Sequence, residues 1–195
     1  MFIETGFSVH RLARFVARQS LLFCGLYAPM LWAQSGQQGQ QPTLGPGFAL
    51  FSAGSLTTSP SEVIAGKASI KGSYSGADTY TSFLQTNASV VSFTPHHSYR
   101  VSFQYKVLTA APKGFNAFFN SPKAFSQGTP SNPGGTFIDN GASPTGTATF
   151  TATLGEFSDY QVLWGITGTG SISVDNIQIA DGVTGEVLAS CLGSI

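Results

Sequence analysis

Side chains able to do acid–base, nucleophilic or metal chemistry are sparse in this sequence. Beyond residue 33 the acids are Glu62, Asp78, Asp139, Glu156, Asp159, Asp175, Asp181 and Glu186. Acid–base cleavage of a glycosidic bond needs two carboxyls facing each other across it. Most of these acids fall in predicted turns, and no two of them can be set on adjacent strands. His96-His97 follows Pro95 without a third ligand at metal-like spacing, so it reads as a polar turn pair rather than a zinc site. A triad of His97 with a serine and an aspartate lacks a nucleophile elbow. Cys191 has no histidine partner beyond this pair and reads as a free thiol. The remaining chemistry is non-covalent, and it depends on which side chains the secondary structure turns outward.

Composition narrows the class. Of 195 residues 42% are hydrophobic and only 9% charged, against about 25% charged in ordinary soluble domains. The apolar residues are regularly spaced and Gly is abundant, which predicts many short strands joined by tight turns rather than disorder. A formal net charge of +0 provides no electrostatic footprint for nucleic acid or for an anionic membrane.

Arg11, Arg14 and Arg18 precede an apolar run from Leu21 to Ala33, the pattern of a secretory signal peptide over 1–33. An uncleaved anchor or a buried helix is the other reading, although the run is short of the roughly 20 residues that span a bilayer. Cleavage after Ala33 removes Arg11, Arg14, Arg18 and Glu4 from the nine basic and nine acidic residues, leaving six and eight. It also removes Cys24, so Cys191 stands alone and the fold must be held by its core. The expected location is secreted, periplasmic or cell-surface, with no stable membrane insertion after cleavage.

The Gln-rich stretch 34–43 reads as a linker. A domain then runs over 44–188, with a tail over 189–195. Between Ser98 and Leu108, Tyr99, Val101, Phe103, Tyr105 and Val107 alternate with Arg100, Ser102, Gln104 and Lys106. That rhythm makes a strand with one buried and one wet face. Thr147–Leu154 and Tyr160–Thr167 repeat it, and Lys67–Tyr74, Ala88–Thr94 and Phe115–Ser121 read as further strands. Across Ser171–Ile179 the apolar phase slips from Ile172 and Val174 to Ile177 and Ile179, predicting a β-bulge at Asp175-Asn176. No segment beyond the leader has a capped helical period, and 121–144 reads as a long loop. Eight or more strands without crossover helices call for an all-β fold, an antiparallel β-sandwich.

Three stretches resemble the jelly-roll carbohydrate-binding modules of families 4 and 9, in the galactose-binding-like group. They are Val63–Ser73, Leu84–Tyr105 with its Pro95 and Tyr99-Arg100-Val101-Ser102-Phe103-Gln104-Tyr105, and Gly170–Ile179 with Val174-Asp175-Asn176-Ile177. The resemblance covers roughly 48–179 and implies a jelly roll that binds sugar without catalysing. It further implies a module accessory to, or derived from, a glycoside hydrolase. Asp175 matches the position of a calcium-bearing aspartate in such modules, but the first strand, Gly47-Phe48-Ala49-Leu50-Phe51, lacks the partner acid. Asp175 therefore has two readings: a ligand to a structural calcium, or a carboxylate that satisfies backbone N–H groups freed at the bulge.

Sugars are held by aromatic faces and planar polar groups. If the 98–108 and 160–167 strands share a sheet, Arg100, Gln104 and Gln161 make a polar floor; otherwise these rows are solvated sheet faces. Trp164 shares its phase with Val162 and Ile166 and belongs in the core. Tyr80, near the turn at 75–78, and Phe118, out of phase with Phe115 and Phe119, are the candidate platforms. The expected site is thus Tyr80, Arg100, Gln104, Phe118 and Gln161, with no catalytic residue and no cofactor beyond a structural calcium. The expected partner is a polysaccharide or oligosaccharide. The competing expectation is a structural or adhesive cell-surface sandwich that binds no sugar.

Overall fold

The period-2 segments form strands wherever one of their faces can be buried against a second sheet. The computed structural model describes residues 44–138 and 144–191. The leader over 1–33, the linker over 34–43, Asp139 and the last four residues of the predicted tail lie outside them.

The described elements are β1 (Phe48–Leu50), β2 (Gly54–Thr57), β3 (Ser69–Tyr74), β4 (Tyr80–Thr86), β5 (Ser98–Thr109) and β6 (Phe115–Asn120), then α1 (Pro122–Ser126), β7 (Gly135–Ile138), β8 (Thr145–Thr153), β9 (Gln161–Thr167), β10 (Gly170–Asp181) and β11 (Val187–Cys191). One sheet has the order β1-β4-β9-β6-β7. The other has the order β2-β3-β10-β5-β8, with β11 also paired to β10. Every pairing is antiparallel, and the two sheets form a sandwich.

The core lies where the alternation predicts. Val101, Phe103, Phe119, Phe150, Val162, Trp164, Ile166, Ile172 and Val174 are buried. Trp164 is 1% exposed and takes the edges of Phe48 and Phe103, with ring centroids 6.1 and 6.0 Å away. Tyr105, expected in the core, is half-buried and packs against it.

The bulge also falls where the phase slips. Opposite β5, Asp175 pairs with Gln104 and Gln178 with Ser102, so two residues of β10 face one of β5. Asn176 absorbs the extra residue in the left-handed region, φ 47°, which asparagine tolerates better than most side chains. One consequence is that β10 pairs first with β3 and, past the bulge, with β11.

Four expectations are corrected. Ala88–Thr94 is not a strand: the Asn87 carbonyl accepts from Val90 and Val91 N–H and its side chain accepts from Ser89. The segment is a turn and loop pinned by buried Val91 and Phe93. Tyr80 opens strand β4 instead of rimming a turn. The stretch 121–144 holds α1 and β7. Ser121 is the N-cap, its Oγ accepting from Ala124 N–H, and Pro122 occupies the first turn. Finally, β11 carries the sandwich to Cys191, beyond the predicted boundary at 188, because Ala189 and Cys191 are buried against β10.

Candidate functional site

The outer face of the β1-β4-β9-β6-β7 sheet is built from alternate residues of its strands. Register sets them in rows: Ser82, Gly165, Asn116 and Phe137 lie opposite one another across β4, β9, β6 and β7, as do Gln85, Leu163, Phe118 and Gly135. Tyr80 lies opposite Thr167, and Gln161 opposite Asn120. None of these five strands contains Asp, Glu, Lys, Arg or His. The face therefore offers aromatic carbon, amides and hydroxyls without formal charge.

Tyr80 and Phe118, the two candidate platforms, come together here. Their ring centroids are 5.7 Å apart with the planes inclined by 54°. Gly165 makes this possible, since a Cβ there would stand 2.1 Å from the Tyr80 ring. The phenol of Tyr80 shares a 3.0 Å hydrogen bond with Ser82 Oγ, and burial of the ring pushes its pKa above the usual tyrosine value. Still, Tyr80 remains 40% exposed.

Gln161 shares this face but stands four residues along β9 from Gly165, roughly 13 Å at the rise of a strand. Arg100 and Gln104 do not share it. Their strand, β5, belongs to the other sheet, and both point outward from it, so a whole sandwich separates them from Gln161. The single polar floor of Arg100, Gln104 and Gln161 is therefore corrected: alternation assigns a residue to an inner or outer face, but not to one sheet or the other.

The outer face of the second sheet is partly covered. The loop over 58–68 folds onto it: Lys106 Nζ donates to the Ser61 carbonyl at 2.5 Å and Lys71 pairs with Glu62 at 2.6 Å. Lys71 and Thr57 both donate to Glu62 and lower its pKa. Gln104 accepts from Asn176 Nδ2 at 2.7 Å and lines a cavity of about 350 Å³ beside Ile64 and Lys106. Arg100 stays exposed.

Asp175 is 2% exposed under this loop. One carboxylate oxygen accepts from Ser69 Oγ at 2.6 Å and Ala65 N–H at 3.3 Å. The other accepts from Asn176 N–H at 2.7 Å. Three donors converge on the carboxylate and occupy both its oxygens, an arrangement that does not fit a calcium ion, which needs about six to eight oxygen ligands. Among the described residues, no three His, Cys, Asp or Glu side chains are grouped as metal ligands. His97, read as half of a polar turn pair, binds Asp181 through Nε2 and Oδ2.

Asn116 and Phe137 were not singled out by the sequence. Asn116 follows from the β6 alternation that turns Phe118 outward. Phe137 fell in the stretch read as loop, where nothing in the pattern marks a strand as short as Gly135–Ile138.

No protein-family model matches this sequence, and no curated protein matches it. Among solved structures it resembles the N-terminal endo-1,4-beta-D-xylanase 10B of Clostridium thermocellum, CBM22-1–GH10 modules complexed with xylohexaose. That likeness has a TM-score of 0.52 and 10% identity, over 71% of this chain and 26% of that one. The C-terminal family 22 carbohydrate-binding module of Clostridium thermocellum Xyn10B is similar with a TM-score of 0.49 and 13% identity, over 71% of this chain and 87% of that one. A CBM4 structure follows with a TM-score of 0.41 and 20% identity, over 58% and 70%. At 10% identity the likeness to the xylanase's modules is one of fold. The chain has the jelly-roll β-sandwich fold of carbohydrate-binding modules.

Proposed function

We propose that this chain is an exported, non-catalytic carbohydrate-binding module whose polysaccharide or oligosaccharide ligand rests on the outer face of the β1-β4-β9-β6-β7 sheet. The observation that carries the reading is the Tyr80–Phe118 pair laid across Gly165. It is an aromatic platform on an outer sheet face, where a core-packing role cannot account for it. An aromatic face takes the apolar face of a pyranose, while the surrounding amides of Gln85, Gln161 and Asn120 offer planar donors and acceptors to its hydroxyls. The absence of any carboxyl or imidazole from these strands supports binding rather than acid–base chemistry at this face. Export rests on Arg11, Arg14 and Arg18 ahead of the Leu21–Ala33 apolar run. An accessory place beside a glycoside hydrolase is supported by the solved xylanase, about a quarter of which shares this fold and which joins CBM22-1 and GH10 modules.

The test is a binding screen of the full chain against soluble and insoluble polysaccharides, with Tyr80→Ala alongside. Binding by the parent and its loss in the variant supports the proposal. A parent that retains no polysaccharide overturns it in favour of a structural or adhesive sandwich.

A further inference from the structure

Beside Phe118, at the β7 edge of the same face, is a cavity of about 440 Å³. Its walls are Asn116 and Phe118 from β6, the turn Asn132-Pro133-Gly134, and Phe137 from β7. Three features of it are not explained by packing. Phe137 is 59% exposed although it lies on a strand, its ring spread over Gly114, where a Cβ would stand 2.6 Å from the ring tip. The Oδ1 atom of Asn116 is shielded from water and has no hydrogen-bond partner among the described residues, which leaves a buried acceptor unsatisfied. Finally, no charged side chain lines the cavity.

These features fit one ligand chemistry. An unpaired amide oxygen requires a donor, an exposed ring requires an apolar face, and an uncharged wall gives no counter-ion to a carboxylate or sulfate. A neutral polyol ring with one apolar face supplies all three. The cavity also continues the first platform: Phe137 is directly opposite Asn116, and Phe118 directly opposite Gly135. Phe118 and Phe137 are thus diagonal neighbours on one face, roughly 7–8 Å apart at the backbone, with the Phe137 ring leaning toward Gly114. Tyr80, Gly165, Phe118 and Phe137 then mark a path from β4 across β9 and β6 to β7.

We propose that Asn116, Phe137 and the turn Asn132-Pro133-Gly134 form a second sugar subsite, which takes the next residues of a single neutral glycan chain lying across the strands. This inference rests on the reading of Tyr80 and Phe118 as a glycan platform and adds to it the direction, length and charge of the ligand.

The experiment is calorimetric titration of the full chain with neutral hexaoses of xylose, glucose, mannose and galactose, with the corresponding disaccharides, and with hexagalacturonate. Phe137→Ala, Asn116→Ala and Tyr80→Ala are titrated in parallel, with circular dichroism to verify folding. The best neutral hexaose is expected to bind at least about tenfold more tightly than its disaccharide and than hexagalacturonate. Phe137→Ala and Asn116→Ala should each remove most of that length advantage while leaving disaccharide binding within about twofold, whereas Tyr80→Ala weakens both lengths. If hexaose binding survives unchanged in Phe137→Ala and Asn116→Ala but falls in Tyr80→Ala, the second subsite is wrong and the first platform stands. Equal affinity for hexagalacturonate overturns the neutral class. A parent chain that binds none of the sugars removes both the subsite and the platform reading beneath it.

Discussion

Tyr80 on β4 reaches over Gly165 on β9 to place its ring 5.7 Å from that of Phe118 on β6. Three strands contribute to one small surface, and the absent side chain at Gly165 matters as much as the two rings. Gly165→Ala places a methyl within the Tyr80 ring. Because that ring is 40% exposed, it can swing into solvent without disturbing the core. Gly165→Ala is therefore expected to keep its fold and melting temperature to within a few degrees, yet to lose about tenfold or more in polysaccharide affinity, as does Tyr80→Ala. Affinity electrophoresis beside a thermal melt reads both quantities. Full affinity in Gly165→Ala would show that the ring pair is not the platform.

The two sheets make opposite predictions for their outward residues. Arg100 and Gln104 lie on the far side of a sandwich about 10 Å thick between sheets, and they share no partner with Tyr80 or Phe118. Substitutions so placed act independently. Arg100→Ala and Gln104→Ala should leave polysaccharide affinity within about twofold of the parent, whereas Phe118→Ala should lower it about tenfold. A large loss in Arg100→Ala instead would move the site to the second sheet.

Much of this was legible in the sequence, and the gaps have physical reasons. Between Ser98 and Leu108 the alternation is long enough to specify both a strand and its buried face. The phase slip at Asp175-Asn176 located a bulge because period 2 leaves no other way to keep Ile172, Val174, Ile177 and Ile179 on one side. Trp164 was placed inside by its neighbours Val162 and Ile166. What alternation does not encode is partnership. Nothing local in Gln161–Thr167 says that it pairs with Tyr80–Thr86 and not with Ser98–Thr109, so the same reading yielded one pair of rings that meet, Tyr80 and Phe118, and one polar row that is split between two sheets. Short elements fared worst. Gly135–Ile138 has too few residues to show a period, and Ala88–Thr94 shows one but spends it on anchoring a loop.

Asp175 carries a second test. Removing its carboxylate strands Ser69 Oγ, Ala65 N–H and Asn176 N–H beneath the 58–68 loop. Asp175→Ala is accordingly expected to destabilise the fold by on the order of 3 kcal/mol in urea titration, the cost of leaving buried donors unpaired. If the three hydrogen bonds are its whole role, a chelator should leave the parent's unfolding midpoint unchanged. A chelator-induced fall that disappears in Asp175→Ala would instead return Asp175 to the calcium reading.

The last prediction concerns acid. Asp181 closes the turn between β10 and β11, its Oδ1 accepting from Val183 and Thr184 N–H at 2.7 Å each while Oδ2 meets His97. The Thr184 N–H first, then His97 and the Val183 N–H, hold its carboxyl well below the usual carboxylate range. In the unfolded chain the same group titrates near about 3.9. A carboxyl whose pKa is lower folded than unfolded adds stability that is complete above the unfolded value and is lost as the pH falls toward the folded one. The parent should therefore lose stability on acidification from about pH 5 to pH 2, as the unfolded state takes up a proton that the folded state declines. Asp181→Asn keeps an acceptor for the turn but has no charge to titrate, so its unfolding free energy should be lower than the parent's at pH 7 and the gap should narrow steadily as the pH falls from about 5 to 2. Parallel curves for the two proteins across that range would show that Asp181 is not linked to folding.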